Sequence, residues 1–201
     1  MITIIDYGMG NLRSVEKAFA FLGHEVEVSH DPQSMAKAEK IVLPGVGAFG
    51  DAMQELHSRG LIDPLRRAIA SETPFLGICL GYQLLFESSE ESPGVEGIGI
   101  LPGRVVRFPD TVKIPHMGWN DARFERSHPV LEKVEEGAFF YFVHSYYVEP
   151  AEPSDCLTTT TYGIDFASGA SRGNLVAFQF HPEKSSSAGM LILDDFARMS
   201  V

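Results

Sequence analysis

Cys79 stands between two glycines in the stretch Gly77-Ile78-Cys79-Leu80-Gly81, after a short apolar run and before a run with helical patterning. A thiol at a sharp strand-to-helix turn can serve as a nucleophile, in the layout that more often carries serine. Such a turn forces unusual backbone angles at the central residue and crowds its neighbours, so glycines two positions to either side fit it. The helix N-terminus beyond the turn favours thiolate over thiol. The backbone N–H of Leu80 would point towards a developing oxyanion. The plainer alternative is a buried small hydrophobe, the commoner fate of a free cysteine. Context favours the nucleophile at Cys79. Cys156, in Ser-Asp-Cys-Leu-Thr, has no such context and reads as a core or strand residue.

A thiolate still needs a proton carrier for its leaving group. Of the seven histidines, His181 is the informative one, at the end of the β-like run of residues 175–180 and followed by Pro182 and Glu183. Proline keeps the residue before it extended, and residues two apart on an extended segment point the same way. Glu183 can then hold one ring N–H and leave the other nitrogen for the thiol. This reading places His181 and Glu183 together on one strand end. It holds only if Cys79 and His181, 102 positions apart, meet in the fold.

Gly45-Val46-Gly47 follows another apolar strand and precedes a helix. Glycines allow a peptide there to turn and aim an N–H into a site. Equally, the loop can be a plain connection with no chemistry. It lacks the Gly-Lys-Ser/Thr ending of a phosphate-binding loop.

These residues need a scaffold, and the first half of the chain supplies an alternating one. Strand-like runs at 1–6, 25–30, 40–47 and 74–79 alternate with helical patterning at 11–23, at 49–70 with a break near Gly60 to Pro64, and at 82–89. That alternation implies a parallel sheet covered on both faces, with Cys79 at a strand's carboxyl end. The second half reads as strands at 98–108, 116–125, 138–150, 156–162, 166–171 and 174–183, then a helix at 187–200. The expectation is one α/β domain over residues 1–201, with a mixed, mainly parallel sheet flanked by helices and additional antiparallel strands.

Bulk properties set limits. Formal net charge is −11, so the basic footprint of a nucleic-acid binder is missing. Two cysteines are too few for a disulfide scaffold. No apolar run reaches the ~18 residues of a membrane span, and residues 1–15 lack the pattern of a signal peptide. A cytoplasmic protein is expected, with no membrane partner.

The segments Pro-Gly-Val-Gly-Ala-Phe-Gly-Asp (44–51), Gly-Ile-Cys-Leu-Gly-Tyr-Gln (77–83) and Phe-Gln-Phe-His-Pro-Glu-Lys (178–184) together resemble the class I, triad-type glutamine amidotransferases. They match in order and spacing over essentially the whole chain. The stretches 5–15, 114–120 and 141–147 resemble one branch of that family, the glutaminase subunits of imidazole glycerol phosphate synthases. Tyr82 stands where many relatives have Met, a difference of packing rather than chemistry.

The resemblance implies that Cys79 attacks the side-chain amide of glutamine, that His181 protonates the departing ammonia, and that Glu183 orients His181. It assigns the oxyanion hole to Leu80 and to the peptide of Val46 and Gly47. It assigns glutamine binding to Gly47, Gln83, Glu91, His144, Ser145 and Tyr146, and it implies neither a metal nor an organic cofactor. It further implies a separate (β/α)8-barrel cyclase subunit that consumes the ammonia in histidine biosynthesis, with Asn11, Met117, Trp119, Asn120 and Lys184 near the junction. Trp119 is either an interface anchor or a core residue on its own evidence. Two rival readings stay open at this point: another α/β cysteine hydrolase, and a binding module with a dead site.

Overall fold

The computed structural model describes residues 1–199. In chain order its elements are β1 (Ile2–Ile5), α1 (Leu12–Phe21), β2 (Val26–Ser29), α2 (Pro32–Lys37), β3 (Lys40–Gly45), α3 (Phe49–Ser58), α4 (Ile62–Ala70), β4 (Phe75–Cys79) and α5 (Leu80–Gln83). There follow β5 (Ser88–Ser89), β6 (Gly103–Arg107), β7 (His116–Asp121), β8 (Arg123–Phe124), β9 (Phe139–His144), β10 (Tyr146–Pro150), β11 (Cys156–Thr161), β12 (Asp165–Arg172), β13 (Leu175–Phe178) and α6 (Ser186–Arg198).

The main sheet runs β2-β1-β3-β4-β13-β12-β10-β6-β5, with β11 paired to β12 and to β8. From β2 to β13 every pairing is parallel; β12, β10 and β6 then pair antiparallel. β7 and β9 form a separate antiparallel ribbon. This is the mixed, mainly parallel α/β sheet with antiparallel additions that the alternation implies. Along β3, Ile41 and Leu43 bury into one layer and Val42 into the other, as the two-residue period of a strand dictates. Phe49, Leu56 and Leu65 from α3 and α4 close the first layer. Phe19 from α1 and Ile192, Leu193 and Phe196 from α6 close the second.

The break expected near Gly60 is a helix stop of a definite kind. Gly60 N–H bonds to His57 O at 3.0 Å and Leu61 N–H to Leu56 O at 2.9 Å. Gly60 sits at φ 66°, and Leu56 and Leu61 are both buried. This is the Schellman pattern with its apolar contact.

Several expectations fail, among them the single run 138–150, which divides at Ser145 into β9 and β10 in separate sheets. The helix after Cys79 stops at Gln83 instead of running to residue 89. The carbonyls of Leu84, Leu85 and Phe86 accept hydrogen bonds from the N–H groups of Ile98, Gly99, Ile100 and Leu101. Three successive side chains there are fully buried, which an amphipathic helix cannot arrange. For the same reason Ile98–Pro102 packs as a closing loop, and the strand begins only at Gly103. The short helix α2 was not expected. Asp31 caps it by accepting from Gln33 N–H at 2.9 Å, and Pro32 starts it.

Candidate active site

β4 lies between β3 and β13, and its pairing with β13 is in register, Phe75 with Leu175 and Ile78 with Phe178. The two carboxyl ends therefore finish side by side. That brings Cys79, the last residue of β4, to the place where the chain beyond β13 delivers His181.

Cys79 has φ 54° and ψ −109°, a conformation that costs a non-glycine residue of order 1–3 kcal/mol. The neighbours leave no alternative. A Cβ at Gly81 would lie 1.9 Å from Leu43 O, and one at Gly77 would lie 2.9 Å from Ala177 Cβ and 3.1 Å from Gly81 O. The two glycines let the turn press against β3 and β13, and the turn holds the thiol at the sheet's edge.

His181 is buried and extended, φ −100° and ψ 97°. Its backbone N–H bonds to Tyr141 O at 3.0 Å. Ser185 Oγ donates to His181 O at 2.6 Å and accepts from Tyr141 N–H at 3.0 Å. His181 Nδ1 lies 2.9 Å from Glu183 Oε1. The partner is the expected one, but the geometry is not. Residues 182–184 form a 3-10 turn after the strand has ended at Phe178. Glu183 reaches the ring by that turn, not by alternation along one strand end.

His181 Nε2 is buried and makes no well-aligned hydrogen bond among the described residues. Its surroundings still fix its charge. Burial alone lowers the pKa of the ring, but the sulfur of Cys79 and the carboxylate of Glu183 outweigh it and push it up to about 10. The ring therefore holds its proton beside the Cys79 sulfur.

A cavity of about 330 Å³ opens over these groups. Of the residues expected there, Val46, Gly47, Cys79, Leu80, Gln83, Glu91, His144, Ser145 and His181 line it, joined by Pro115 and Val143, which sequence reading missed. Tyr146 does not line it; its carbonyl instead accepts from Gln83 Nε2 at 3.0 Å and from His144 Nδ1 at 2.8 Å. Glu91 Oε2 accepts from Phe49 N–H at 2.7 Å, and Ser92 Oγ from Gly50 N–H at 2.9 Å. The start of α3, just beyond the Val46–Gly47 loop, is thereby tied to a cavity carboxylate. Gln179 was also missed. It is fully buried and places Nε2 3.8 Å from Cys79 Sγ. Its only signal in the sequence is a polar residue inside an otherwise apolar run.

A roomier groove of about 990 Å³ lies between α3, α4 and residues 92–97, but it holds neither the thiol nor the His181–Glu183 pair. Among the described residues no group of three or more His, Cys, Asp or Glu side chains is placed to hold a metal ion, and no helix is long and apolar enough to cross a membrane. Cys156 lies away from the cavity; burial and the charge of Glu125 push its thiol up to about 11.

Met117 is 63% exposed and Trp119 51% exposed on β7. Trp119 packs edge-on against Tyr141 at 6.1 Å, and Lys184 Nζ sits 5.9 Å from the centre of the same ring. Trp119 is thus a surface residue, which removes the reading of it as core. Asn11 immediately precedes α1 and makes no capping bond through its side chain. Tyr82 is fully buried, with its hydroxyl donating to Ala167 O at 3.2 Å and its ring edge-on to Phe86.

A thiol on a strained strand-to-helix turn, beside a histidine oriented by a carboxylate and over a cavity of amino-acid size, can carry out nucleophilic acyl transfer on a small substrate. The family model for glutamine amidotransferase class-I matches residues 3–199, and the chain belongs to that family. Imidazole glycerol phosphate synthase subunit HisH of Syntrophotalea carbinolica is 50% identical to it, over 99% of this chain and 100% of that protein. The subunit of the same name from Aquifex aeolicus is 53% identical, over 97% and 95%. Among solved structures, PurLQS from Thermotoga maritima superimposes with a TM-score of 0.75 at 17% identity, covering 97% of this chain and 96% of that one. A glutamine amidotransferase crystal structure gives 0.73 at 18%, covering 96% and 99%. At those identities the structural likeness speaks for the fold alone.

Proposed function

We propose that this chain, as a single amidotransferase domain, is the glutaminase subunit of an imidazole glycerol phosphate synthase. The observation that carries the chemistry is the meeting of Cys79, His181 and Glu183 at adjacent strand ends. The relatives' shared name, at about half identity over nearly the full length, supports the particular reaction.

The Cys79 thiolate adds to the carboxamide carbon of glutamine, and the carbonyl oxygen becomes an oxyanion. Leu80 N–H and the Val46–Gly47 peptide receive that charge. The His181 imidazolium gives its proton to the amide nitrogen, the C–N bond breaks, and ammonia leaves a glutamyl thioester. Neutral His181 then takes a proton from water as the water attacks. Glutamate and the thiolate result, and the proton stays on the ring. Glu183 holds the ring in place and stabilises its charge throughout.

Gln83 and Glu91 receive the substrate's amino-acid end. Both protons of Gln83 Nε2 are committed, to Tyr146 O and to Gln179 Oε1. Gln83 can therefore offer only its amide oxygen, an acceptor suited, like Glu91, to an α-ammonium group. The ammonia passes to a (β/α)8-barrel cyclase docked on the face of Asn11, Met117, Trp119, Asn120 and Lys184, in the cytoplasm, as a step of histidine biosynthesis. The test is glutamate release by the chain mixed with such a cyclase, compared with Cys79→Ala. Release that survives in the variant would end this reading. With ammonia supplied in solution, the variant complex is expected still to form the cyclase product.

A further inference from the structure

Behind the cavity, two runs of hydrogen bonds meet at the Tyr146 carbonyl, one from the exposed ribbon and one from beside the thiol, and each bond admits one direction only. Tyr146 O can only accept, so His144 Nδ1, 2.8 Å away, carries a proton. His144 is neutral, its pKa lowered to about 3 by burial, so its Nε2 is a lone pair. It accepts from His116 Nδ1 at 2.9 Å. His116 is likewise neutral, lowered by burial to about 4. Its Nε2 must then accept, and Asn120 Nδ2 lies 3.3 Å from it. On the far side of Tyr146 O, Gln83 Nε2 donates to that carbonyl at 3.0 Å and to Gln179 Oε1 at 2.9 Å. With its oxygen so occupied, Gln179 turns its Nε2 towards Cys79 Sγ, 3.8 Å away.

We propose that Gln179 is a positioning residue that directs an N–H at the Cys79 sulfur, and that its orientation is set by Gln83, whose own amide is fixed by the Tyr146 carbonyl. The proposal rests on the reading of Cys79 as the nucleophile and adds a residue and a route that the triad does not need. A reversed Gln179 amide would set its oxygen against an anionic sulfur and its N–H₂ against the donor of Gln83. Both contacts would be repulsive and buried, where an unmet polar group is expensive. The other titratable groups around the sulfur are His181, with Glu183 behind it, and Tyr7, whose buried hydroxyl is raised by burial and by the charge of Cys79. None of them bonds to Gln179. At the other end, Asn120 is only half-buried and lies between exposed Trp119 and Asp121. The donors of His144 and Gln83 converge on Tyr146 O, which accepts both, so the amide of Gln83 keeps its direction whatever the tautomer of His116.

The experiment measures alkylation of Cys79 by iodoacetamide as a function of pH, in the full chain carrying Cys156→Ala so that one thiol reports. Gln179→Met keeps the volume and removes the N–H. It is expected to slow alkylation at pH 7 roughly tenfold and to move the midpoint of the profile to higher pH. It should also lower kcat with little change in KM. Gln83→Met keeps the volume and removes the N–H that holds Gln179 Oε1 in place. It is expected to shift the same profile in the same direction, about threefold at pH 7, and to add nothing once Gln179→Met is present. A wild-type profile in Gln179→Met, or effects of the two substitutions that multiply, would overturn the proposal. Should melting curves show Gln179→Met unfolded, a wild-type profile in Gln83→Met alone overturns it. Glutamine hydrolysis that survives Cys79→Ala would instead strike the functional reading, while the alkylation profiles still decide the role of Gln179.

Discussion

On the elbow side of the cavity, a Cβ added at Gly81 would stop 1.9 Å from the backbone oxygen of Leu43. On the loop side, a Cβ added at Gly47 would meet only the far end of Met9, at 2.7 Å. Gly81 is fixed by backbone on a buried sheet. Gly47, at φ 104°, is next to Val46, which is 38% exposed. Both sides line one cavity, yet one is packed beyond adjustment and the other can move at little steric cost. In the proposed mechanism the nucleophile is built into the sheet, whereas the second oxyanion donor rests on a loop. A site made this way keeps its reactive group in place at all times and leaves its transition-state stabilisation open to control.

The hardest test of this contrast is removal of the fixed part. Cys79→Ala is expected to cut glutamate release by ~10⁴-fold or more, and Cys156→Ala by less than twofold, in a steady-state assay. Equal losses would mean that the elbow had been mistaken for chemistry. Next in size is the proton carrier. His181→Ala should lose ~10³-fold in kcat, and Glu183→Gln, which removes only the orienting charge, about tenfold less than that. The reverse order would place the base elsewhere.

The loop side predicts a gain. The chain alone should be a slow glutaminase, and a bound cyclase carrying its nucleotide ligand should raise kcat by ~10²–10³, the worth of one oxyanion donor, with a smaller change in KM. An unassisted chain already at full rate would place that donor permanently in position and erase the contrast. Stability sharpens it further. Gly81→Ala should cost at least ~3 kcal/mol in a denaturant titration, because backbone cannot yield. Gly47→Ala should cost about 1 kcal/mol, mostly for its φ.

The smallest effect concerns pH. His116, His128 and His144 are lowered to about 4, 4 and 3, chiefly by burial. Their unfolded values are higher, so between those values and about 6.5 the unfolded chain binds more protons. Their contribution to stability is full above about 6.5 and is lost as pH falls towards 4. His128→Gln should flatten that part of the stability curve by up to one proton, as read from urea midpoints across the range.

The elbow and the His181–Glu183 pair could be read from the sequence because each is local: a few residues carry the whole signal. The meeting of the two could not. It depends on β13 pairing with β4, and nothing in residues 175–178 says which strand they will join. Gln179 and the His116–His144 pair escaped notice for the same reason, since their partners are tertiary. The helix after Cys79 was overextended because its pattern is apolar enough for a helix, while the carbonyls of residues 84–86 go to residues 98–101. Short α2 has too few residues for periodicity to reveal it. The alternation of strands and helices, by contrast, repeats often enough in residues 1–79 to define the sheet without help.

The in-register pairing of β4 with β13 also bears on when the enzyme becomes an enzyme. Cys79 and its helix are made early, but its acid–base partner arrives about a hundred residues later, on the strand that must slot between β4 and β12. Closing a loop of that length adds only a few kcal/mol of chain entropy, yet it cannot begin until residue 181 exists. A partly synthesised chain therefore owns a thiol without a proton carrier. Glutamine is safe from it until the last strand has been seated, so the first turnover of each molecule certifies that its sheet is complete.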